Sequence, residues 1–446
     1  MVICNESLNA KTEMKNGGDK KIFYHKEQSY SCLNCGKCCR LWDVPITTAE
    51  KDRISKLKID GLPIPIEECF VRDTKRKNVF LIRKKDGNCI FFDEKNYCRI
   101  HSAYGEKVKP LACRIYPFDT FNWKDHSVSA SFRFDCHAVV ARKGKKIGDY
   151  QTQILGFSDE LARSGIFSDA IYRKGLAPGL DKLRTIAEGY KSILLNDEFR
   201  PAIRILAAAR LLEFHGRKEN RHDISDADKS FGRDASGLAQ RSVPELEDDI
   251  ENGPELDLRR KILFRYMLSG FIRTDEAVRY GTFLIGRLRR LKSLLKFSLG
   301  SGRISDFIEN CDEHLVADPF RTLEKFHSKN EIWQIYWSYV GSKLSSLHFC
   351  GYPAFSYTFE EGMRHLIMTF PVAAAVASLY HEIDGNKDQK IDANDFQKAL
   401  MAVDHTFSRS PFFRLKHVKK ISKEFCRGDV LPSLLKTIKI SESHNS

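Results

Sequence analysis

The stretch Cys32-Leu-Asn-Cys35-Gly-Lys-Cys38-Cys39 opens the cysteine-rich part of the chain and decides how that part is expected to fold. Nine of the thirteen cysteines lie between residues 32 and 136. A chain of 446 residues can build its core without cysteine, and two-residue spacers let neighbouring thiolates converge on one ion. We therefore expect a thiolate site for zinc or an iron–sulfur cluster.

Further cysteines follow in the pattern Cys89-x8-Cys98-x14-Cys113-x22-Cys136. Their surroundings are Cys89-Ile-Phe-Phe-Asp93, Cys98-Arg-Ile-His101, Lys109-Pro-Leu-Ala-Cys113-Arg-Ile-Tyr-Pro-Phe118 and Arg133-Phe-Asp-Cys136. With these segments the first third of the chain resembles the YkgJ-type CxxCxxCC cysteine-cluster family, which is described as zinc- or iron-chelating and is related to the flagellin lysine N-methylases. The resemblance implies that the metal-site thiols are Cys32, Cys35, Cys38, Cys39, Cys89, Cys98, Cys113 and Cys136.

Eight thiols are more than one mononuclear site needs. They could supply two four-thiolate sites, or one cluster with thiols to spare. Cys38 and Cys39 are adjacent, so we expect their side chains to diverge and not to share one mononuclear ion. Lys37, Arg40 and Arg114 lie near the thiols in sequence, where positive charge would favour thiolate. Cys69 falls outside the pattern and is expected to be a small buried hydrophobe.

The formal net charge of +14 fits either a solvated basic surface or an anionic partner such as an acidic protein or nucleic acid. The N-terminal sequence lacks the apolar core of a signal peptide. The longest uncharged apolar run, Leu366 to Tyr380, is shorter than the ~20 residues that span a bilayer. We therefore expect a cytoplasmic protein with no transmembrane segment, in which reduced cysteines bind metal instead of forming disulfides.

The expected fold class is α+β, with a small irregular cysteine-cluster metal domain followed by a mainly α-helical region. Residues 215–257 are polar with one aromatic residue, Phe231, and such composition favours disorder. The predicted organisation is a flexible tail at 1–27, the cysteine-cluster metal-binding domain at 28–145, a helical region at 146–214, a disordered linker or insertion at 215–257, a helical region at 258–370, and a helical region with an EF-hand-like loop at 371–446.

Leucines recur at spacings of three and four residues beyond position 283, with cations between them. The leucines are Leu284, Leu288, Leu291, Leu295 and Leu299, and the cations are Arg287, Arg289, Arg290, Lys292 and Lys296. This pattern predicts a basic amphipathic helix. Its leucines either pack into the core, or dock the helix on acidic protein, nucleic acid or lipid headgroups.

The segment from Asp384 to Asp395 resembles an EF-hand calcium loop. The expected ligands are Asp384, Asn386, Asp388, Lys390 through its carbonyl, and Asp395, with Asp392 at loop position 9. Position 6 is Gln389 instead of glycine and position 12 is Asp instead of Glu. We therefore expect a weak calcium site with a Kd of ~10⁻⁴–10⁻³ M, or an Asp/Asn turn that binds nothing.

The chain contains no dinucleotide fingerprint, P-loop, nucleophile elbow, zincin motif or kinase motif set. The leading interpretation is a cytoplasmic metal-binding protein. The alternative, implied only by the relatedness to flagellin lysine N-methylases, is an S-adenosylmethionine-dependent protein lysine N-methyltransferase, whose catalytic and cofactor-binding residues the sequence does not identify.

Overall fold

The computed structural model divides the chain into two compact units. Unit 1 comprises residues 1–22, 28–122 and 126–167, and unit 2 comprises residues 23–27, 123–125 and 168–446. The structure describes residues 20–74, 76–163, 167–217, 224, 231–272, 284–307, 318–323, 330–385, 390–407 and 410–438.

Unit 1 is built from short strands and short helices. Its described strands are β1 (Ile22–Phe23, which continues into unit 2), β2 (Ser29–Tyr30), β3 (Pro45–Thr47), β4 (Phe70–Arg72), β5 (Val79–Ile82), β6 (Lys84–Lys85), β7 (Asn88–Cys89), β8 (Phe118–Asn122), β9 (Val128–Phe132) and β10 (Lys145–Lys146). Antiparallel pairs form between β8 and β9, between β5 and each of β3 and β4, between β6 and β7, and between β2 and β10. Strands this short present little area of their own, so side chains from several elements must share each core.

The helices of unit 1 are equally short, except for the last. They are α1 (Lys37–Leu41), α2 (Thr48–Ile54), α3 (Arg99–Tyr104), α4 (Leu111–Ile115), α5 (His137–Val140) and α6 (Gln151–Ala162), with 3₁₀ turns at Ile66–Cys69, Glu106–Val108 and Ile147–Tyr150. One apolar cluster, which includes Ile46, Ile54, Phe91 and Ile100, lies beneath the β3–β5–β4 sheet. Cys69 belongs to this cluster and is fully buried, so its predicted burial is confirmed.

Unit 2 is helical in the residues that the structure describes. Its helices are α7 (Leu180–Leu194), α8 (Pro201–Gly216), α9 (Phe231–Arg241), α10 (Val243–Glu251), α11 (Leu258–Ile272), α12 (Leu284–Ser298), α13 (Pro319–Thr322), α14 (Asn330–Ser346), α15 (Phe359–Ile383), α16 (Ala393–Thr406), α17 (Lys416–Phe425) and α18 (Leu431–Thr437), with 3₁₀ turns at Ile304–Asp306, Tyr352–Ala354 and Pro411–Arg414. A strand-containing unit followed by a helical one confirms the predicted α+β class.

Helices α9 and α10 occupy part of the predicted disordered segment, residues 215–257. Ala235, Ala239, Leu246 and Ile250 are buried there at helical spacings. Helix α9 packs closely on α7, because glycine at position 189 leaves room for the Phe231 ring. The expectation of disorder therefore does not hold for residues 231–251, since small side chains at a close helix contact bury area that composition alone does not reveal. Residues 218–223 and 225–230 lie outside the described part.

Helix α15 is the one helix among the described residues that is long and apolar enough, by length and composition, to cross a membrane. Its most apolar window is 83% buried inside the protein. Such burial is typical of a helix that is apolar on all sides because it forms a protein core.

Candidate metal centre

The loop that carries the first four cysteines turns at two positions with positive φ, Asn34 and Gly36 (φ 52° and 66°). The backbone N–H of Asn34 donates to Cys32 Sγ at 3.4 Å. A Cβ at Gly36 would overlap the ring of Phe92. Glycine is therefore required at position 36 both by the left-handed backbone and by the close approach of Phe92, and helix α1 with Cys38 and Cys39 begins directly after it.

The thiols of Cys38 and Cys39 influence each other's ionisation. Interaction with the Cys39 thiol, with help from the positive charge of Lys109, lowers the pKa of Cys38, and interaction with the Cys38 thiol, together with burial, raises the pKa of Cys39. One of the two is therefore poised to ionise first. That the two side chains diverge and do not share one mononuclear ion stays a prediction.

Three further thiols surround this pair, and we call the five the first thiol group: Cys38, Cys39, Cys89, Cys98 and Cys113. They come from separate elements, because Cys89 ends β7, Cys98 precedes α3 and Cys113 lies in α4. Cys89, Cys98 and Cys113 also pack against the apolar cluster of unit 1. The fold thus gathers thiols that are up to 75 residues apart in sequence (113 − 38 = 75).

Thiolates within the first thiol group would repel one another. Burial raises the pKa of Cys89 to about 12, and negative charge on Cys98 and Cys38 adds to that shift. Burial also raises the pKa of Cys113, with contributions from the same neighbours that Lys109 only partly offsets. Several thiolates so close together in a buried place are stable only if positive charge compensates them.

The other three predicted thiols form the second thiol group: Cys32, Cys35 and Cys136. Burial raises the pKa of Cys136 to about 11, the N–H groups of Val139 and Ala138 oppose that shift, and charge on Asp135 and Cys35 adds to it. Cys136 lies at the start of α5, which packs against β2, and Cys32 follows β2 by two residues. Contacts between elements therefore bring these thiols together.

Aromatic and charged side chains lie beside the second thiol group. Burial and then charge on Cys32 and Cys136 raise the pKa of Tyr30. Burial lowers the pKa of Lys37, and the negative charges of Asp135, Cys35 and Cys136 oppose that shift. Lys37 is therefore a cation of this site, as its sequence position indicates.

Arg40 and Arg114, which lie near the thiols in sequence, make hydrogen bonds with other side chains. Arg114 forms two hydrogen bonds with the carboxylate of Glu160, at 2.9 and 2.6 Å. Arg40 donates to Asn88 Oδ1 at 2.8 Å and lies over the Phe92 ring. Sequence reasoning missed Lys109 as a charge partner of the thiols, although its place one helical turn before Cys113 is a usable signal.

The donor chemistry of the first thiol group fits zinc or iron, because thiolates are the soft ligands that these metals take in proteins. Within the described residues, however, no three Cys, His, Asp or Glu side chains lie close enough together to hold a metal ion. The thiols are thus grouped and electrostatically coupled, and they must move closer to coordinate one ion.

The EF-hand-like loop lies between two helices, as predicted. Helix α15 ends at Ile383 and α16 begins at Ala393, with the side chain of Asp392 capping its first turn and Ile391 buried. The carboxylate of Asp384 pairs with Lys398, and that of Asp395 pairs with His381. Lys390 is exposed. Asn386 and Asp388 lie outside the described residues, so calcium binding stays a prediction.

Residues 31–129 match one family model, described as "CxxCxxCC: Putative zinc- or iron-chelating domain". The matched range contains seven of the eight predicted thiols, and Cys136 follows it. No curated protein and no solved structure matches the chain. The family match supports metal binding by this part of the chain and confirms the resemblance seen in the sequence. Residues 31–129 are therefore similar to the CxxCxxCC family, whose model is described as a zinc- or iron-chelating domain.

Proposed function

We propose that unit 1 is a metal-binding module in which the first thiol group holds zinc or an iron–sulfur cluster. The observation that carries the proposal is the gathering of five thiols from α1, β7, α3 and α4 within electrostatic reach of one another. Burial and nearby negative charge raise the pKa values of Cys39, Cys89 and Cys113, so these thiols are costly to ionise without a cation. A bound metal would supply that positive charge.

Each residue of the first thiol group has a distinct place in this proposal. Cys38 ionises first, because Cys39 and Lys109 stabilise its thiolate. Cys89, Cys98 and Cys113 would supply thiolate ligands from the end of β7, the residue before α3 and helix α4. Zinc at these thiols would cross-link four short elements, and an iron–sulfur cluster would add one-electron redox chemistry.

The second thiol group would form a metal site separate from that of the first group. It offers three thiols, one fewer than a four-thiolate site requires. Charge on Cys38 reaches Tyr30 and Tyr116 beside this group as well as the first group. We infer that Cys32, Cys35 and Cys136 form a second, weaker site that completes its ligand set with Cys38 or with a non-protein ligand.

Cysteine-to-serine variants test this assignment. Each variant is purified anaerobically, and its zinc, iron and sulfide contents are compared with those of the wild type. Cys89→Ser/Cys113→Ser leaves three of the five thiols, so it should lose metal from the first thiol group, and Cys136→Ser should retain it. Cys350→Ser/Cys426→Ser is the matched control, because it removes two buried thiols of unit 2. Equal metal content in Cys89→Ser/Cys113→Ser and Cys350→Ser/Cys426→Ser would contradict the proposal.

A further inference from the structure

Helix α12 packs on unit 2 by one side and presents leucines on the other. Phe297 is fully buried, and its ring centroid lies 4.7 Å from that of Phe307. Gly286, which helical geometry places on the same side as Phe297, is also buried. At 3.6 residues per turn, the four leucines at positions 288, 291, 295 and 299 fall within an arc of about 80°, on the side of the helix opposite Phe297.

These leucines are exposed in the part of the chain that the structure describes. Their exposed fractions are 58% for Leu288, 52% for Leu291, 55% for Leu295 and 63% for Leu299. Single exposed leucines are ordinary, but a contiguous row of four on one helix face marks an interaction surface. Packing into the core, one of the two interpretations of this helix, is therefore wrong for these leucines.

Cations accompany the leucine row. Arg289, Lys292 and Lys296 are exposed, and helical geometry places them along one flank of the leucines. The sequence contains no Asp or Glu from Leu284 to Ser305. The surface therefore combines an apolar row with a run of positive charge, and its occupant must be anionic beside an apolar region.

Among anionic occupants, a lipid surface fits best. Phosphate contacts of a nucleic acid would use the cations and leave the leucines in water. A specific protein partner is usually selected by charges of both signs in a set register, whereas this surface carries one sign only. Headgroups of an anionic bilayer offer diffuse negative charge at the level of the cations, with acyl chains below for the leucines.

We propose that α12 is an interfacial helix that holds the protein on an anionic lipid surface, with the leucine row (Leu288, Leu291, Leu295 and Leu299) inserted at the acyl boundary and Arg289, Lys292 and Lys296 at the headgroups. This binding is reversible and peripheral, because one short apolar row contributes far less than a membrane-spanning helix. It is independent of the metal proposal, since α12 belongs to unit 2.

The test is co-sedimentation of the full chain with two kinds of vesicle, one of phosphatidylcholine alone and one of equimolar phosphatidylcholine and phosphatidylglycerol. The variant Leu291→Ser/Leu295→Ser removes half of the leucine row at exposed positions. The matched control, Leu238→Ser/Leu415→Ser, removes two exposed leucines from other elements. Circular dichroism and thermal melting of each variant check that both remain folded.

We expect the wild type to sediment with the anionic vesicles and not with phosphatidylcholine alone. The leucine-row variant should bind the anionic vesicles at least about tenfold more weakly, from the apolar area lost, and the control variant should bind like the wild type. The proposal is overturned if the wild type does not sediment, or if the leucine-row variant binds as well as the wild type, which would indicate charge adsorption alone. It is also overturned if duplex DNA or an acidic protein displaces the vesicles and binds the leucine-row variant unchanged.

Discussion

His381 Nδ1 lies 2.9 Å from Asp395 Oδ2, and both side chains are buried. Asp395 is the residue that the loop pattern assigns to calcium position 12. Its carboxylate is therefore already paired, with His381, before any calcium binds. Its Oδ2 also lies 3.4 Å from the backbone N–H of Asp392. Calcium would have to replace these bonds, as well as the ion pair between Asp384 and Lys398.

We therefore expect calcium to stabilise the protein only at high concentration. The free energy of breaking the existing bonds reduces the net affinity, so Kd should be no tighter than ~10⁻⁴ M. Thermal melting across a calcium titration measures this, and Asp384→Ala should abolish any calcium-dependent rise in Tm. Micromolar affinity would contradict the expectation, and no response at millimolar calcium would dismiss the site altogether.

His365 makes stability depend on pH. Its ring stacks on that of Tyr357 with centroids 4.9 Å apart. Burial, and then the positive charges of Lys419 and Arg364, lower its pKa from 6.5 to about 3. The unfolded chain therefore binds a proton that the folded protein does not, and the free energy of unfolding falls as pH drops from 6.5 towards 3, by ~1.4 kcal/mol per pH unit from this group.

The variant His365→Phe isolates that contribution, since it keeps an aromatic ring and removes the titration. We measure its free energy of unfolding by urea denaturation across this pH range. The dependence of that free energy on pH should be smaller than in the wild type by ~1.4 kcal/mol per pH unit. The control His126→Asn changes an exposed histidine with φ of 62°, and Asn tolerates that backbone conformation. Parallel pH profiles for the wild type and His365→Phe would show that His365 is not the group responsible.

Gly36 should be sensitive to the smallest added side chain. Gly36→Ala introduces strain at φ of 66° and overlap with Phe92, whereas Gly87→Ala introduces only the strain, since a Cβ there meets nothing within 4 Å. The left-handed conformation alone costs ~1–2 kcal/mol. We expect Gly36→Ala to destabilise unit 1 by at least ~1 kcal/mol more than Gly87→Ala, measured by urea unfolding. Equal losses would mean that Phe92 moves aside without cost.

The sequence was sufficient to predict the α+β class, the resemblance to the cysteine-cluster family and the burial of Cys69, because these depend on local patterns and composition. The sequence alone did not predict that the eight thiols divide into two groups. That division depends on α5 packing against β2 near Cys32, and on β7, α3 and α4 bringing Cys89, Cys98 and Cys113 beside α1. Tertiary contacts of this kind leave no mark in residue spacing.

Two other features show what local patterns omit. The close approach of the Phe92 ring to Gly36, just before the helix that carries Cys38 and Cys39, is a tertiary contact. Helix α9 is stable because Gly189 permits a close helix contact. The methyltransferase alternative rests on the family resemblance only, and stays a prediction that S-adenosylmethionine binding would test.

The most direct test of the metal-binding account is elemental analysis of the anaerobically purified wild-type protein for zinc, iron and sulfide, together with an ultraviolet–visible spectrum. The account predicts stoichiometric zinc in a colourless protein, or iron with matching sulfide in a brown protein whose visible absorbance is broad. Either result identifies the bound metal, and the metal contents of the cysteine variants show whether the first thiol group holds it. A protein that contains neither zinc nor iron, even after anaerobic reconstitution with each metal, would contradict the account.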